Sequence, residues 1–202
     1  MAIILNDEII LGSGSETRLE LLKRHGLNIN NFAPTVDEEQ LKNEHCQDMG
    51  PNEMALFLAK AKAKDVSAKF PDAYVIAADQ VCELKGRVFD KPGNRENAIK
   101  HLKLLRNQTH NQNCAMVIAR NCEIIYVSIT KAYISLRDLS DSEIEAYIDL
   151  EQPFQSCGAY MLEKHGKHIF KSIEGDHDVI LGLDVVELFN KLYELKAIEL
   201  KP

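Results

Sequence analysis

Two strand-length apolar segments separated by a short polar turn constrain the fold of this 202-residue chain more than any other feature. The segments are residues 114–119 and 124–129, and they flank Arg120-Asn121. Such a pair predicts a β-hairpin, whose neighbouring strands run antiparallel. Helical patterns lie on both sides of the hairpin, but a purely parallel, doubly wound sheet would not contain it. The chain is therefore predicted to be an α/β protein with a mixed sheet flanked by helices.

The remaining segments alternate between helical and strand patterns, and several helices begin at residues suited to a helix start. Residues 84–87 resemble a turn between two strands. The predicted helices span residues 16–25, 51–70, 94–105 and 140–148, with a final helix from Asp184. The predicted strands outside the hairpin span residues 8–11, 74–82 and 132–136, with one more near Ile169. Because no repeat or long linker interrupts this order, residues 1–202 are predicted to form one domain.

Composition narrows the classes of function. A net charge of −7 argues against a general affinity for the nucleic-acid backbone, although a local cluster of Lys and Arg can still bind a small anion. Residues 1–11 carry two acids and no basic lead, and no apolar run approaches the roughly 20 residues that span a bilayer. Five scattered cysteines without a CxxC pair argue against structural zinc and suit a reducing compartment. We therefore expect a cytoplasmic protein that binds neither membranes nor nucleic acid.

Asp79 interrupts an apolar run, since it sits between Ala78 and Gln80 in a segment that otherwise reads as a buried strand. A carboxylate there loses hydration unless it is paired or bound to a metal. A solvent-facing position on the strand, or an ion pair with a purely structural role, is the alternative. Asp79 is a candidate functional residue.

Lys62 occupies a similar place on the long predicted helix. At about 100° per residue, Lys62 shares the apolar stripe of Leu58 and Val66, opposite Lys60 and Lys64. A lysine on that stripe either extends to the edge of the buried surface or points into a cleft that holds an anion. Lys62 is a second candidate.

The loop around Ser13, Gly14 and Ser15 leads from a predicted strand into a helix. Free N–H groups, the helix dipole and two hydroxyls can bind an anion there, and Arg18 in the first turn adds a cation. In the alternative interpretation Ser15 only caps the helix and Arg18 is solvated. Two further candidates are Glu38, in an acidic run that could bind a metal, and Lys91, which could add a cation.

Taken in order, these segments resemble the Maf family of nucleotide pyrophosphatases. The likeness extends from about residue 9 to residue 195 and rests on an ordered set of short motifs rather than on any one of them. The motifs are Leu11-Gly12-Ser13-Gly14-Ser15-Glu16-Thr17-Arg18, Asp37-Glu38, Lys62-Ala63, Ile76-Ala77-Ala78-Asp79-Gln80, Lys91-Pro92, Gly158-Ala159-Tyr160, Ile173-Glu174-Gly175-Asp176 and Gly182-Leu183.

The resemblance implies a fold of the inosine-triphosphate-pyrophosphatase type, with two lobes around an elongated mixed sheet and a cleft between them. It also implies a divalent metal (Mg²⁺, Mn²⁺ or Co²⁺) and cleavage of a nucleoside triphosphate between its α- and β-phosphates. Asp79 matches the proton acceptor of the family, and Glu38 and Asp79 match metal-associated carboxylates. Five positions match residues that hold the triphosphate: Ser13, Ser15, Arg18, Lys62 and Lys91.

Three positions set the base preference in the family, and in this chain two of them match one branch while the third does not. Gln80 and Glu163 match the branch that hydrolyses 7-methyl-GTP, and a glutamate suits the donor edge of a cationic methylated guanine. Thr17 does not match, because that branch carries Trp there and this chain has no Trp. We predict 7-methyl-GTP, or a related purine nucleotide, as the substrate, with removal of modified nucleotides before their misincorporation as the implied role.

Two other readings stay open on the residues alone. One is a dTTP and UTP pyrophosphatase of the same family, and the other is a non-catalytic nucleotide-binding regulator of cell division. The retention of Glu38, Lys62, Asp79 and Lys91 together favours an enzyme, since binding alone needs no base. The sequence does not decide between a monomer and a homodimer.

Overall fold

Residues 2–201 are described by a computed structural model, and their helices begin largely where the sequence predicts. Ser15, Asn94, Ser140 and Asp184 accept backbone N–H groups as N-caps, and Pro51 occupies the first turn of the longest helix. The helices are α1 (Glu16–Arg24), α2 (Glu38–His45), α3 (Pro51–Lys69), α4 (Arg95–Leu105), α5 (Asp141–Glu151), α6 (His177–Ile180) and α7 (Val185–Glu194).

The strands form one large mixed sheet and one small ribbon. They are β1 (Ala2–Leu5), β2 (Ile9–Leu11), β3 (Asn30–Asn31), β4 (Tyr74–Leu84), β5 (Arg87–Phe89), β6 (Thr109–Arg120), β7 (Glu123–Leu136), β8 (Phe170–Glu174) and β9 (Ile198–Lys201). The large sheet has the order β3-β2-β4-β6-β7-β8, with β5 also paired to β4, and β1 pairs with β9. Because β2 is parallel to both neighbours and the other pairs are antiparallel, the predicted mixed sheet is confirmed.

The hairpin is longer than its sequence pattern suggests. The predicted separate strand at residues 132–136 is wrong, because it is the end of β7, which runs without interruption from the hairpin turn. Exposed and half-buried positions alternate along the first nine residues of β7, so this part lacks the continuous apolar pattern of a buried strand. Helix α2 and the ribbon of β1 and β9 were not predicted, because α2 buries no residue and both ribbon strands are largely exposed.

The core has two large parts that meet along the same strands. One face of β4 packs Ile76 and Ala78 with α1 and α7, and then packs Cys82 with α4 and α5. Gln80 lies between these two apolar stretches on the same face. On the opposite face the alanines of α3 cover Ala77 and Val81, with Asp79 between them. The predicted two-lobed arrangement is confirmed, and the lobes separate where Gln80 and Asp79 interrupt the apolar strand.

Within residues 2–201, no helix is both long enough and apolar enough to cross a membrane. The predicted helix that comes closest in length, α3, carries several lysines on its solvent side.

Candidate active site

A cavity of about 1050 Å³ opens where the two lobes separate. All of the site residues predicted from the sequence line it, so the structure brings together side chains from six separate segments of the chain. They are Ser13, Ser15, Thr17, Arg18, Glu38, Lys62, Asp79, Gln80, Lys91 and Glu163.

A gap in the sheet explains how neighbouring residues of β4 reach one cavity from opposite faces. Along one edge, β2 pairs with β4 only as far as Ile76, and β5 begins its pairing at Cys82. The chain after β2 turns away, with the Gly12 N–H donating to the carbonyl of Ile76 at 2.7 Å. The edge of β4 between these contacts is therefore free for the cavity, and Asp79 and Gln80 border it from the two faces.

The ionic cluster of Glu38, Lys62 and Asp79 lies on the α3 face of β4. The Lys62 Nζ donates to Asp79 Oδ1 at 2.6 Å and lies 2.9 Å from Glu38 Oε2. Lys62 is 6% exposed and Asp79 7%, so Lys62 does not extend to solvent and Asp79 does not face it. The expectation that both side chains meet in one cleft is confirmed, and the solvent-facing alternatives are wrong.

The two carboxylates of the ionic cluster differ in proton affinity. Burial raises the pKa of Asp79 more than the nearby charges of Lys62 and Arg18 lower it. Burial also raises the pKa of Glu38, but Lys62, followed by Lys91 and Lys42, outweighs it, and the net pKa is lowered. Glu38 is therefore the firmly ionised acid, whereas Asp79 is the stronger base of the two.

The loop before α1 is preorganised around Arg18. The Ser13 hydroxyl accepts from the Ser15 N–H at 3.2 Å and from Arg18 Nη1 at 3.3 Å, and Arg18 Nε donates to the Gly182 carbonyl at 2.7 Å. Gly182 has φ +99°, and a Cβ there would lie 3.0 Å from the guanidinium. Ser15 does cap α1, as the alternative held, but Arg18 is fixed between Ser13 and Gly182 rather than solvated.

Lys42 is a cation in the cavity that the sequence analysis missed. It lies one helical turn after Glu38 on α2, and its Nζ donates to Asp90 Oδ1 at 2.5 Å. Asp90 directly precedes Lys91, so this contact joins α2 to the segment that carries the predicted cation. The i, i+4 spacing from Glu38 was the available signal, but it has meaning only once α2 is known to be a helix.

The amide wall, formed by Thr17, Gln80, Gln112 and Glu163, borders the cavity beside the ionic cluster. The Gln80 side-chain nitrogen donates to the carbonyls of Val179 at 2.7 Å and Ile180 at 3.0 Å. The Thr17 hydroxyl donates to Glu163 Oε1 at 3.3 Å. Thr17 therefore contacts the very carboxylate with which it was grouped from the sequence.

Comparison with known proteins identifies the family. The model of the family described as "Maf-like protein" matches residues 8–195, which is most of the chain. The chain belongs to the Maf family. Six of the eight Maf motifs contribute residues to the cavity, and only the motifs at residues 173–176 and 182–183 do not line it.

Relatives of this Maf chain carry enzyme names. A protein of Legionella pneumophila (strain Corby) named "Nucleoside triphosphate pyrophosphatase" is 41% identical over 190 residues, covering 94% of each chain. A protein of Rhizobium meliloti (strain 1021) named "7-methyl-GTP pyrophosphatase" is 40% identical over 194 residues, covering 95% of this chain and 98% of its own. Among solved structures, the Ham1 protein of Staphylococcus aureus covers 94% of this chain and 99% of its own, with a TM-score of 0.44 and 14% identity.

The acids of this Maf cavity fit a metal that is coordinated partly by the protein and partly by a bound substrate. Within the described part of the chain, no group of three or more His, Cys, Asp and Glu side chains is arranged to hold an ion by itself. Mg²⁺ is commonly bound by one or two carboxylates together with phosphate oxygens and water. Glu38 and Asp79, which both contact the Lys62 ammonium group, are carboxylates of that kind.

Proposed function

We propose that this chain is a metal-dependent nucleoside triphosphate pyrophosphatase whose preferred substrate is 7-methyl-GTP, or a related purine nucleotide. The observation that carries the proposal is the buried contact between Lys62 and Asp79 inside a cavity that also contains Arg18 and Lys91. A buried base beside several cations suits hydrolysis of a polyanion better than binding alone.

In the proposed reaction, the cavity neutralises the triphosphate and Asp79 activates water. Lys62, Arg18 and Lys91 donate to phosphate oxygens, and an oxygen ligand that attracts Lys62 leaves Asp79 free to accept a proton. The water oxygen bonds to the α-phosphorus as the bond from that phosphorus to the bridging oxygen breaks. Pyrophosphate leaves with the electron pair, and Asp79 holds the proton taken from water. A divalent ion held by Glu38 and Asp79 would supply further charge neutralisation when bound.

The base preference is proposed from the amide wall. Glu163 places a carboxylate in the cavity, which complements the N–H donors and the positive charge of 7-methylguanine. Uracil and thymine present carbonyl oxygens on both sides of their single N–H, so the same carboxylate disfavours them. The name of the Rhizobium meliloti relative agrees with this assignment.

The test is a pyrophosphate-release assay over a panel of 7-methyl-GTP, GTP, ITP, dTTP and UTP with Mg²⁺, Mn²⁺ or Co²⁺. We expect turnover to the monophosphate and pyrophosphate, with the highest kcat/KM for 7-methyl-GTP. Faster turnover of dTTP or UTP would make this a pyrimidine enzyme. Saturable binding without turnover of any nucleotide would favour a regulator of cell division over an enzyme.

We further propose that the protein acts in the cytoplasm on free nucleotides rather than on nucleic acid. All five cysteines are free thiols, as suits a reducing compartment, and the net charge of −7 opposes binding to a nucleic-acid backbone. Omitting the metal, or chelating it, is expected to abolish turnover in the same assay. A homodimer stays a prediction, which light scattering of the purified protein tests.

A further inference from the structure

Three buried polar side chains form a chain of hydrogen bonds beneath the amide wall. The Gln112 side-chain nitrogen lies 2.7 Å from the Tyr160 hydroxyl, and His110 Nε2 lies 2.7 Å from the same oxygen. Their exposures are 1% for His110, 2% for Gln112 and 4% for Tyr160. A buried polar network of this kind is costly unless its members are satisfied, so each unsatisfied atom in it needs an explanation.

Two buried atoms of this network, Gln112 Oε1 and His110 Nδ1, have no hydrogen-bond partner among residues 2–201, and of these two residues only Gln112 belongs to the cavity wall. A buried amide oxygen left in this state costs the full loss of its hydration. In a cavity that takes a ligand, the natural explanation is that a donor on the ligand completes the bond.

The sheet register puts Gln112 beside the proposed base-reading residues. Gln112 pairs with Cys82, and Gln80 pairs with Cys114, in the antiparallel ladder of β4 and β6. Residues paired in this way share a face, so Gln80 and Gln112 are diagonal neighbours on the face opposite the ionic cluster. The free oxygen of Gln112 therefore belongs to the amide wall and not to the part of the cavity around Lys62.

The hydrogen bonds of the network engage the nitrogen of the Gln112 amide. Burial lowers the pKa of His110 to about 4, so its ring is neutral at physiological pH and Nε2 can accept the Tyr160 hydroxyl hydrogen. The Tyr160 oxygen then accepts from the Gln112 amide nitrogen. Tyr160 is held close against Gly158, where an added Cβ would lie 2.8 Å from the ring. With its nitrogen engaged, the oxygen of Gln112 is the atom left for a further partner at the cavity wall.

The side-chain amide of Gln80 also has its nitrogen engaged and its oxygen left over. Both hydrogens of its side-chain nitrogen are directed to the carbonyls of Val179 and Ile180, so its oxygen is the atom left for other partners. Glu163 contributes carboxylate oxygens, which only accept. Three of the four positions of the amide wall therefore offer acceptors, and they are drawn from β4, β6 and the segment after Tyr160.

We propose that Gln112 is a specificity-determining residue whose side-chain oxygen accepts a hydrogen bond from the exocyclic amino group of a guanine-type base. The inference rests on the proposed function for the class of ligand. Guanine carries a ring N–H next to an exocyclic NH₂, a run of donors that matches a wall of acceptors. Hypoxanthine lacks the NH₂, and uracil offers one N–H between two carbonyl oxygens, so both leave acceptors of the wall unpaired.

The test measures binding separately from catalysis. Kd values for non-hydrolysable α,β-methylene analogues of GTP and ITP are determined by calorimetry on the wild-type protein, Gln112→Met and Gln112→Glu. We expect the wild-type protein to bind the guanine analogue about tenfold more tightly than the hypoxanthine analogue, as for one hydrogen bond to a buried acceptor. Gln112→Met should abolish that ratio, whereas Gln112→Glu, which keeps an acceptor at this position, should retain it.

Asn113→Ala provides a matched control. Asn113 is the next residue on β6, is also buried, and donates to the Val81 carbonyl on the other face of the sheet. Its loss should lower the melting temperature without changing the ratio of the two Kd values. Where turnover is measurable, Gln112→Met should raise KM for GTP about tenfold and leave kcat within a factor of about two.

Three results would overturn the inference. If Gln112→Met keeps the guanine preference, the oxygen does not read the amino group. If Gln112→Glu loses binding as Gln112→Met does, the amide nitrogen faces the ligand instead. If the substitution changes the ratio of GTP to dGTP but not that of GTP to ITP, Gln112 contacts the ribose. Because these are binding measurements, they remain informative if no nucleotide is hydrolysed, whereas absence of turnover counts against the proposed function alone.

Discussion

The ionic cluster and the amide wall border the same cavity, but they are built from different kinds of group. In the ionic cluster one ammonium group contacts two carboxylates at 2.6 and 2.9 Å, and burial raises while the Lys62 charge lowers the pKa of both carboxylates. In the amide wall neutral Gln80 and Gln112 side chains are held by backbone carbonyls and by a tyrosine hydroxyl. Clustered cations suit a polyphosphate, whereas fixed acceptors, among them the one carboxylate of Glu163, suit the donors of a base. The two regions should therefore fail in different ways.

The largest effect is expected from removing the proton acceptor of the ionic cluster, Asp79. Asp79→Asn keeps the shape of the side chain but removes the proton acceptor, so kcat should fall by about 10²–10⁴. Nucleotide binding measured without metal should be retained, because Lys62, Arg18 and Lys91 remain. The ratio of kcat/KM between 7-methyl-GTP and UTP should change little, because the amide wall is untouched. Single-turnover kinetics and calorimetry on the same preparation measure the two effects.

Asp149→Asn is the control for this substitution. Asp149 is an exposed carboxylate on α5 that pairs with Arg95 outside the cavity, and its loss should leave turnover normal. Near-normal turnover by Asp79→Asn would show that another group accepts the proton. A simultaneous loss of base selectivity would show that the two regions are not separable.

The second effect concerns stability and comes from the support of the amide wall. His110 has a folded-state pKa of about 4, below its ordinary 6.5, because it is buried. The unfolded chain thus binds the proton more readily, and folding stability falls as the pH falls from about 6.5 to about 4. The loss through this residue is on the order of 3 kcal/mol. Denaturant unfolding followed between pH 7.5 and pH 4 measures it.

His110→Gln should flatten this dependence, since glutamine can still bond Tyr160 but does not titrate. The variant is expected to be less stable at pH 7.5 and to lose less stability on acidification than the wild-type protein. An unchanged slope would mean that other groups, such as the carboxylates of the ionic cluster, account for the acid sensitivity. The acid sensitivity of folding would then not be a property of the amide wall and its support.

The third effect tests the charge of the amide wall. Glu163→Gln removes the negative charge and adds a donor, so the preference for 7-methyl-GTP over UTP should fall by about tenfold or more, with kcat less affected. A kcat/KM measurement for both nucleotides is sufficient. Glu20→Gln, an exposed substitution on α1 outside the cavity, should leave the preference unchanged. A fall in kcat alone would place Glu163 in the chemistry rather than in base selection.

The sequence predicts the ionic cluster better than the amide wall, and the reason is physical. Asp79 and Lys62 are conspicuous because each carries a charge inside an apolar pattern, and burying a charge demands a partner. Gln112 carries no such signal, because its burial follows from pairing with Cys82, thirty residues earlier in the chain. A polar residue of β6 acquires a meaning only when the sheet register places it beside Gln80.

The same reasoning applies to the fold. Helices such as α3 and α4 have caps and apolar stripes that can be found in the sequence, and they lie where predicted. Helix α2 has one apolar residue, Leu41, and buries none, and it is positioned by its Asp37 cap and by tertiary contacts such as that of Lys42 with Asp90. Local sequence pattern therefore predicts the elements that pack against the core, whereas the position of α2 beside the cavity depends on contacts between residues that are distant in the sequence.

The smallest expected effect concerns Thr17, the position at which this chain departs from the 7-methyl-GTP branch. Thr17→Trp places an aromatic face beside Glu163, where a cation–π contact would favour the charged methylated base over plain guanine. We expect a gain of about two- to fivefold in the ratio of kcat/KM for 7-methyl-GTP to that for GTP. Thr17→Leu removes the same hydroxyl and adds bulk without an aromatic face, so it should give no such gain. An equal rise in kcat/KM for both nucleotides in Thr17→Trp would indicate stacking that does not depend on the charge of the base. The amide wall would then distinguish bases by their hydrogen-bond donors but not by methylation.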